Sequence, residues 1–188
     1  YSRLVGSEMC IRDRGTITTL SLVAFKLSNQ KESFYKALLL SALSPAIFIL
    51  GGIASTDIFL FFFWSLTILS YVCFFKDRDE KWFYVIGITV GLGILAKLTM
   101  VLLPLSILLY FLATDLRKYF LNIHIYFSAM ITVLISSPIL IWNAQNNWLT
   151  LFHEIGHLVS GAPTLNPEIL IFTLILTVPS SLLLFSSE

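Results

Sequence analysis

The sequence predicts an all-α protein, a polytopic transmembrane helical bundle of about 6–7 membrane segments truncated at both ends. Three observations carry this. Hydrophobic residues make up 57% of the chain and charged residues only 12%, with a mean hydropathy of +0.87, whereas a soluble domain uses roughly 25% charged residues to face water. The apolar residues fall in long blocks rather than in short amphipathic stripes, the pattern that lipid demands. The basic residues gather in alternate connections between the blocks, as they do in membrane proteins oriented by positive charge. A net charge of +1 gives no footprint for nucleic acid. Two cysteines, Cys10 and Cys73, are too few for a disulfide framework.

Residues 1–14 differ in character from the rest. They carry Arg3, Glu8, Arg12, Asp13 and Arg14, and the run Ser7-Glu8-Met9-Cys10-Ile11-Arg12-Asp13-Arg14 resembles a translated sequencing-adapter junction. The segment has neither the apolar core nor the small-residue cleavage site of a signal peptide. The natural sequence is expected to begin near Gly15, with residues 15–188 forming part of one transmembrane domain. Apolar blocks then occupy 16–26, 34–50, 58–75, 82–113, 122–141 and 167–186, most of them close to the ~20 residues that cross a bilayer.

The block 82–113 is too long for one comfortable helix and carries Lys97 and Thr99 at its middle. It is either one long tilted helix or two short helices joined near Lys97. As a hairpin it leaves Lys26, Lys31, Lys36, Lys76, Arg78, Lys81, Arg117 and Lys118 on one side and only Lys97 on the other. A single helix would move Arg117 and Lys118 across. The hairpin is therefore the expectation, with the eight cations cytoplasmic and Lys97 outside. Gly87, Gly91 and Gly93 let its first arm pack closely against a neighbour, and Pro104 is placed to bend its second arm.

Everything chemically unusual is expected on the outer side. The stretch Gly51-Gly52-Ile53-Ala54-Ser55-Thr56-Asp57 opens a Phe-rich helix. It reads as a helix N-cap, or Asp57 is an acid held at the membrane surface to bind a sugar hydroxyl or a metal, or to assist as a base. Lys97 reads as a snorkelling lysine, or as the partner of a lipid-carrier phosphate. The loop Trp142-Asn143-Ala144-Gln145-Asn146-Asn147-Trp148 sets neutral donors and acceptors beside flat aromatic faces, which suits carbohydrate, although tryptophans also belong to any membrane boundary.

His153-Glu154-Ile155-Gly156-His157 matches H-E-x-x-H, in which two histidines one helical turn apart bind zinc and the glutamate acts as base. Here the motif is expected in the outer loop 142–168, far from any apolar helix centre. Downstream acids are limited to Glu168 and Glu188, so no metal ligand is assigned and a zinc metalloprotease is the weakest reading. His124 is expected to be interfacial.

With these residues placed, the region 16–186 resembles the central part of a GT-C integral-membrane glycosyltransferase. It is closest to the group holding the dolichyl-phosphate-mannose–protein mannosyltransferases and the lipid A aminoarabinose transferases. The matching residues are Ser44-Pro45, then Thr56-Asp57 and a Phe-rich helix, then Trp82 before Gly87, Gly91-Leu92-Gly93 and Leu95-Ala96-Lys97-Leu98-Thr99. Ser137-Pro138 leading into Trp142-Asn143, then Asn147-Trp148, Phe152 and Pro179, complete the order.

The resemblance implies inverting transfer of a sugar from a polyprenyl-phosphate donor to a glycolipid or protein acceptor, on the extracytoplasmic side of a cell inner membrane. It makes Asp57 a supporting acid, with the principal base in a first outer loop missing from a fragment expected to be inactive alone. Lys97, Trp142, Asn143, Asn147 and Trp148 become substrate-binding residues, and the phosphate charge is met by cations or by a divalent metal. Sugar and acceptor stay open. The alternative from another class is a transporter or lipid flippase, which predicts an inverted repeat; none is found in this sequence.

Overall fold

The computed structural model describes residues 2–43 and 57–160. Their secondary structure is helical throughout: α1 (Ser2–Ser28), α2 (Lys31–Ala42), α3 (Asp57–Asp77), α4 (Lys81–Ala96), α5 (Leu102–Ala113), α6 (Ile123–Gln145) and α7 (Leu149–Ser160). Two 3-10 segments, Leu98–Val101 and Asp115–Leu121, link α4 to α5 and α5 to α6.

The apolar blocks 58–75 and 122–141 form α3 and α6. Among the described residues these are the two helices long and apolar enough to cross a membrane. Helices α4 and α5 are apolar but shorter, about 24 and 18 Å at 1.5 Å per residue. The all-helical class holds, while two candidate spans among the described residues are fewer than the six or seven segments expected. Block 34–50 lies partly, and block 167–186 wholly, outside the described residues, as do Ser44-Pro45, residues 51–56, Glu168 and Pro179.

The block 82–113 is a hairpin. Lys97 leaves the helix with φ −159° and ψ 133°, its N–H closes α4 on the Gly93 carbonyl at 2.9 Å, and the Met100 N–H returns to the Lys97 carbonyl at 3.1 Å. Helix α5 then runs back: the Phe111 ring, near its end, lies 5.9 Å from Phe75 at the end of α3. Met100, fully buried, fills the inside of the turn against Gly93.

Side-chain pairs fix the directions of the remaining helices. Helix α4 is antiparallel to α3, with Phe74 and Phe83 ring centroids 4.4 Å apart and a buried Thr67–Thr89 hydroxyl bond of 2.9 Å. Helix α1 is parallel to α3, with Gly15 against Phe62 and Lys26 beside Asp77. The neighbour that the glycines of α4 admit is α6, running parallel. A Cβ at Gly87 would stand 2.6 Å from the Ser128 carbonyl oxygen, and one at Gly91 would stand 2.8 Å from Ile135 Cβ. The Thr132 hydroxyl donates across this seam to the Gly87 carbonyl at 3.0 Å. Leu60, Phe74, Phe83, Ile86, Val90, Ile94, Met100 and Leu103 form the core between α3, α4 and the hairpin tip. The outer face of α6 is left apolar and open at Tyr126, Met130, Val133, Leu134 and Ile141, a surface suited to lipid.

One end of the bundle gathers the basic residues. Lys26 pairs with Asp77 at 3.4 Å, and Lys76 donates to the Leu27 carbonyl and to Asn29. Lys81 pairs with Asp79 at 3.7 Å, and Arg78 donates to the Tyr119 hydroxyl. His124 belongs to this network: its Nε2 lies 2.7 Å from a Glu80 carboxylate oxygen and its Nδ1 lies 2.7 Å from the Tyr84 hydroxyl. That is a locking contact between the starts of α4 and α6, which fits an interfacial residue.

Candidate functional site at the hairpin tip

The opposite end collects the residues that the sequence singles out. Register places Asp57: the antiparallel pairs Phe74–Phe83 and Thr67–Thr89, continued to the first residue of α3, bring Asp57 level with the 3-10 turn that follows Lys97. Lys97 itself is half-buried at the tip, where its extended backbone breaks the helix. The break leaves no further turn of α4 above it, so the tip is the outermost point of both arms.

Thr99, two residues on, adds a group that sequence reasoning did not assign to the site. Its hydroxyl oxygen is buried with no hydrogen-bond partner among the described residues, a state that costs about 1–3 kcal/mol unless a polar group meets it. The signal was available as a hydroxyl beside a lysine inside an apolar block.

The Asn-rich segment forms a tight turn rather than a long loop. Asn143 is 1% exposed, and its side chain is used by the turn: Nδ2 donates to the Ile139 carbonyl at 3.0 Å, and Oδ1 accepts from the Thr150 N–H at 3.2 Å. Its carbonyl accepts from the N–H groups of Asn146 and Trp148 at 3.1 and 2.8 Å. Asn143 therefore ends α6 and starts α7 with one side chain.

Asn147 and Trp148 both sit at positive φ, 54° and 57°. Asparagine tolerates this conformation, whereas for tryptophan it costs roughly 1–2 kcal/mol. The strained turn holds the Trp142 and Trp148 indoles 48% and 44% exposed, beside the exposed Asn147. Helix α7 also packs against the 3-10 segment Leu98–Val101, which ties the turn to the hairpin tip. Lys97, Trp142, Asn143, Asn147, Trp148 and the start of α3 at Asp57 thus share one end of the molecule: a cation, neutral amides and two open aromatic faces.

The segment expected as loop 142–168 is helical over Leu149–Ser160, a correction to the sequence reading. The helix is amphipathic, with Leu151, Phe152, Ile155, Leu158 and Val159 along one side and Thr150, His153, Glu154 and His157 along the other. The side chains of Glu154 and His157 lie outside the described residues, and among the described residues no three His, Cys, Asp or Glu side chains group as metal ligands.

Residues 15–142 match the family described as dolichyl-phosphate-mannose-protein mannosyltransferase. No curated protein and no solved structure matches the chain significantly. The family match covers more than half of the chain, and includes α3, the whole hairpin and α6 as far as Trp142. The two candidate spans and the open apolar face of α6 agree with membrane insertion. The chain accordingly belongs to the dolichyl-phosphate-mannose-protein mannosyltransferase family, membrane-integral glycosyltransferases that draw their sugar from a polyprenyl-phosphate carrier.

Proposed function

We propose that the chain is the membrane-embedded part of an inverting glycosyltransferase of the GT-C class. It is a multi-pass protein of a cell inner membrane, and its reaction site lies at the hairpin tip on the extracytoplasmic side. The observation that carries this reading is the break at Lys97. It ends two apolar arms on a lysine, at the same end as Asp57 and the Asn–Trp turn and opposite the cationic end. A lysine at the apolar tip sets a positive charge at the membrane boundary, and that charge suits the phosphate of a polyprenyl-phosphate sugar.

The chemistry follows from the charge that must move. An acceptor hydroxyl oxygen, on a glycolipid or a protein, attacks the anomeric carbon from the face opposite the phosphate. The bond from that carbon to the phosphate oxygen breaks, the configuration inverts, and the hydroxyl proton passes to a base. Negative charge grows on the departing polyprenyl phosphate, where the Lys97 ammonium, held by the rigid tip, stabilises it. Asp57 takes the place of a supporting acid near the acceptor. Trp142 and Trp148 give the sugar two flat apolar surfaces, and Asn147 supplies neutral hydrogen bonds. Asn143 acts by holding the turn that presents them.

Donor binding to the 188-residue chain tests this, because it needs only the phosphate side of the site. Lys97→Met is expected to raise the Kd for a polyprenyl-phosphate sugar about tenfold, ~1.4 kcal/mol, while Lys97→Arg keeps it within about threefold of the starting value. Equal binding by Lys97→Met and the unmodified chain would remove the reading.

A further inference from the structure

Toward the cationic end lies a ligand-sized space, which the sugar-transfer reading does not use. Between α5 and the α3–α4–α6 side lies an apolar cavity of about 160 Å³. Tyr71 and Phe83 line it from α3 and α4, Ile107 and Leu108 from α5, Phe120 from the 3-10 segment before α6, and Ile125 from the first turn of α6. An apolar cavity of roughly this size stays dry and accepts a benzene-sized group. Leu108, one of its lining residues, is 42% exposed, so for a protein crossing a membrane the space lies within reach of lipid chains.

Two guanidiniums stand at the charged end of the same wall. Phe111, another lining residue, and Phe120 bracket Arg117 in sequence, and Phe120 shares its 3-10 segment. Arg117 is exposed, and its Nε donates to the Leu112 carbonyl at 2.7 Å. Arg78 is exposed and donates to the hydroxyl of Tyr119, whose ring packs on Phe111. Both arginines thus rest on neutral oxygens. Among the described side chains at this end the carboxylates pair elsewhere: Asp77 with Lys26, Asp79 with Lys81, and Glu80 with His124 and Asn122. An apolar slot open to lipid, beneath two arginines with no carboxylate partner among the described side chains, matches one molecule in both halves.

The geometry points to a seat for an anionic phospholipid at the cationic end, with part of an acyl chain in the cavity and the phosphate on Arg78 and Arg117. Basic pockets between membrane helices recognise such headgroups, and a guanidinium fork fits phosphate oxygens better than an ammonium does. The seat goes beyond the transferase reading and depends only on α3 and α6 spanning the membrane. Its structural consequence is a filled contact beside Leu108, the exposed lining residue of α5.

Native mass spectrometry of the purified chain, offered phosphatidylglycerol and phosphatidylcholine of the same acyl composition in equal amounts, tests the seat. Phosphatidylglycerol is expected to be retained at least tenfold over phosphatidylcholine. Arg117→Gln and Arg78→Gln should each lower that preference about fivefold. Ala129→Phe, which fills the cavity from α6, should weaken retention of both lipids without changing the preference between them. Equal retention of the two lipids by the unmodified chain would overturn the proposal. So would wild-type behaviour of both Arg117→Gln and Ala129→Phe in preparations whose circular dichroism is unchanged. Displacement of the lipid by inorganic phosphate at the same concentration would also overturn it, because the site would then read phosphate without the chain.

Discussion

Gly87→Ala should loosen the seam between α4 and α6, and the structure sets the size of the effect. The added methyl would stand 2.6 Å from the Ser128 carbonyl oxygen and 3.1 Å from Ser128 Cα. These are backbone atoms of α6 and cannot swing aside as a side chain can, so the helices must part by most of an ångström. Overpacking of this kind costs about 1–3 kcal/mol. The Thr132–Gly87 bond of 3.0 Å and the Tyr84–His124 bond of 2.7 Å cross the same seam, and each interhelical bond in a membrane protein contributes about 0.6 kcal/mol on average.

Better helix propensity of alanine returns up to about 1 kcal/mol, leaving a net loss of about 2 kcal/mol. That corresponds to a fall in thermal midpoint of roughly 4–8 °C. The assay is thiol labelling of Cys73, which is 3% exposed, during a temperature ramp in detergent and in a Cys10→Ser background. Gly93→Ala provides the contrast, because its methyl would meet the flexible Met100 side chain at 2.7 Å, and it should cost less than half as much. A Gly93→Ala loss equal to or above that of Gly87→Ala would refute the packing argument.

Asn143→Leu should cost about 1–3 kcal/mol through the Thr150 N–H that loses its acceptor, and hydrogen exchange should speed up first at the start of α7. Thr67→Val and Thr89→Val, combined in a double-mutant cycle, should show a coupling of about 0.6 kcal/mol and no more than about 1.7 for their buried 2.9 Å bond. Trp148→Gly relieves the positive φ at the expense of backbone entropy, so its thermal midpoint should stay near that of the unmodified chain while sugar-donor binding weakens.

The hairpin was legible because charge, not hydropathy, distinguished the two readings of 82–113: Arg117 and Lys118 had to return to the side of Lys76 and Arg78. The glycines of α4 announced a close neighbour without naming it, since Ser128 and Ile135 are ordinary residues in an apolar block. Helix α7 was hidden by the Asn-rich run before it. The 3.6-residue alternation of Leu151, Phe152, Ile155 and Val159 with His153, Glu154 and His157 was present, but it is only twelve residues long. The work of Asn143 was not legible at all, because its amide meets a backbone N–H seven residues away that only the folded turn brings near. Fewer spans stand among the described residues than the apolar blocks suggest, because the two arms at Lys97 are each shorter than a bilayer and blocks 34–50 and 167–186 lie partly or wholly outside those residues.

The most direct measurement is single-cysteine labelling in sealed right-side-out membrane vesicles. It compares Asn147→Cys with Arg117→Cys, using a membrane-impermeant maleimide in a background lacking Cys10 and Cys73. The account predicts that Asn147→Cys reacts in sealed vesicles, is shielded by a polyprenyl-phosphate sugar, and that Arg117→Cys reacts only after permeabilisation. Labelling of Arg117→Cys in sealed vesicles while Asn147→Cys stays silent would put the hairpin tip on the wrong side of the membrane and contradict the account.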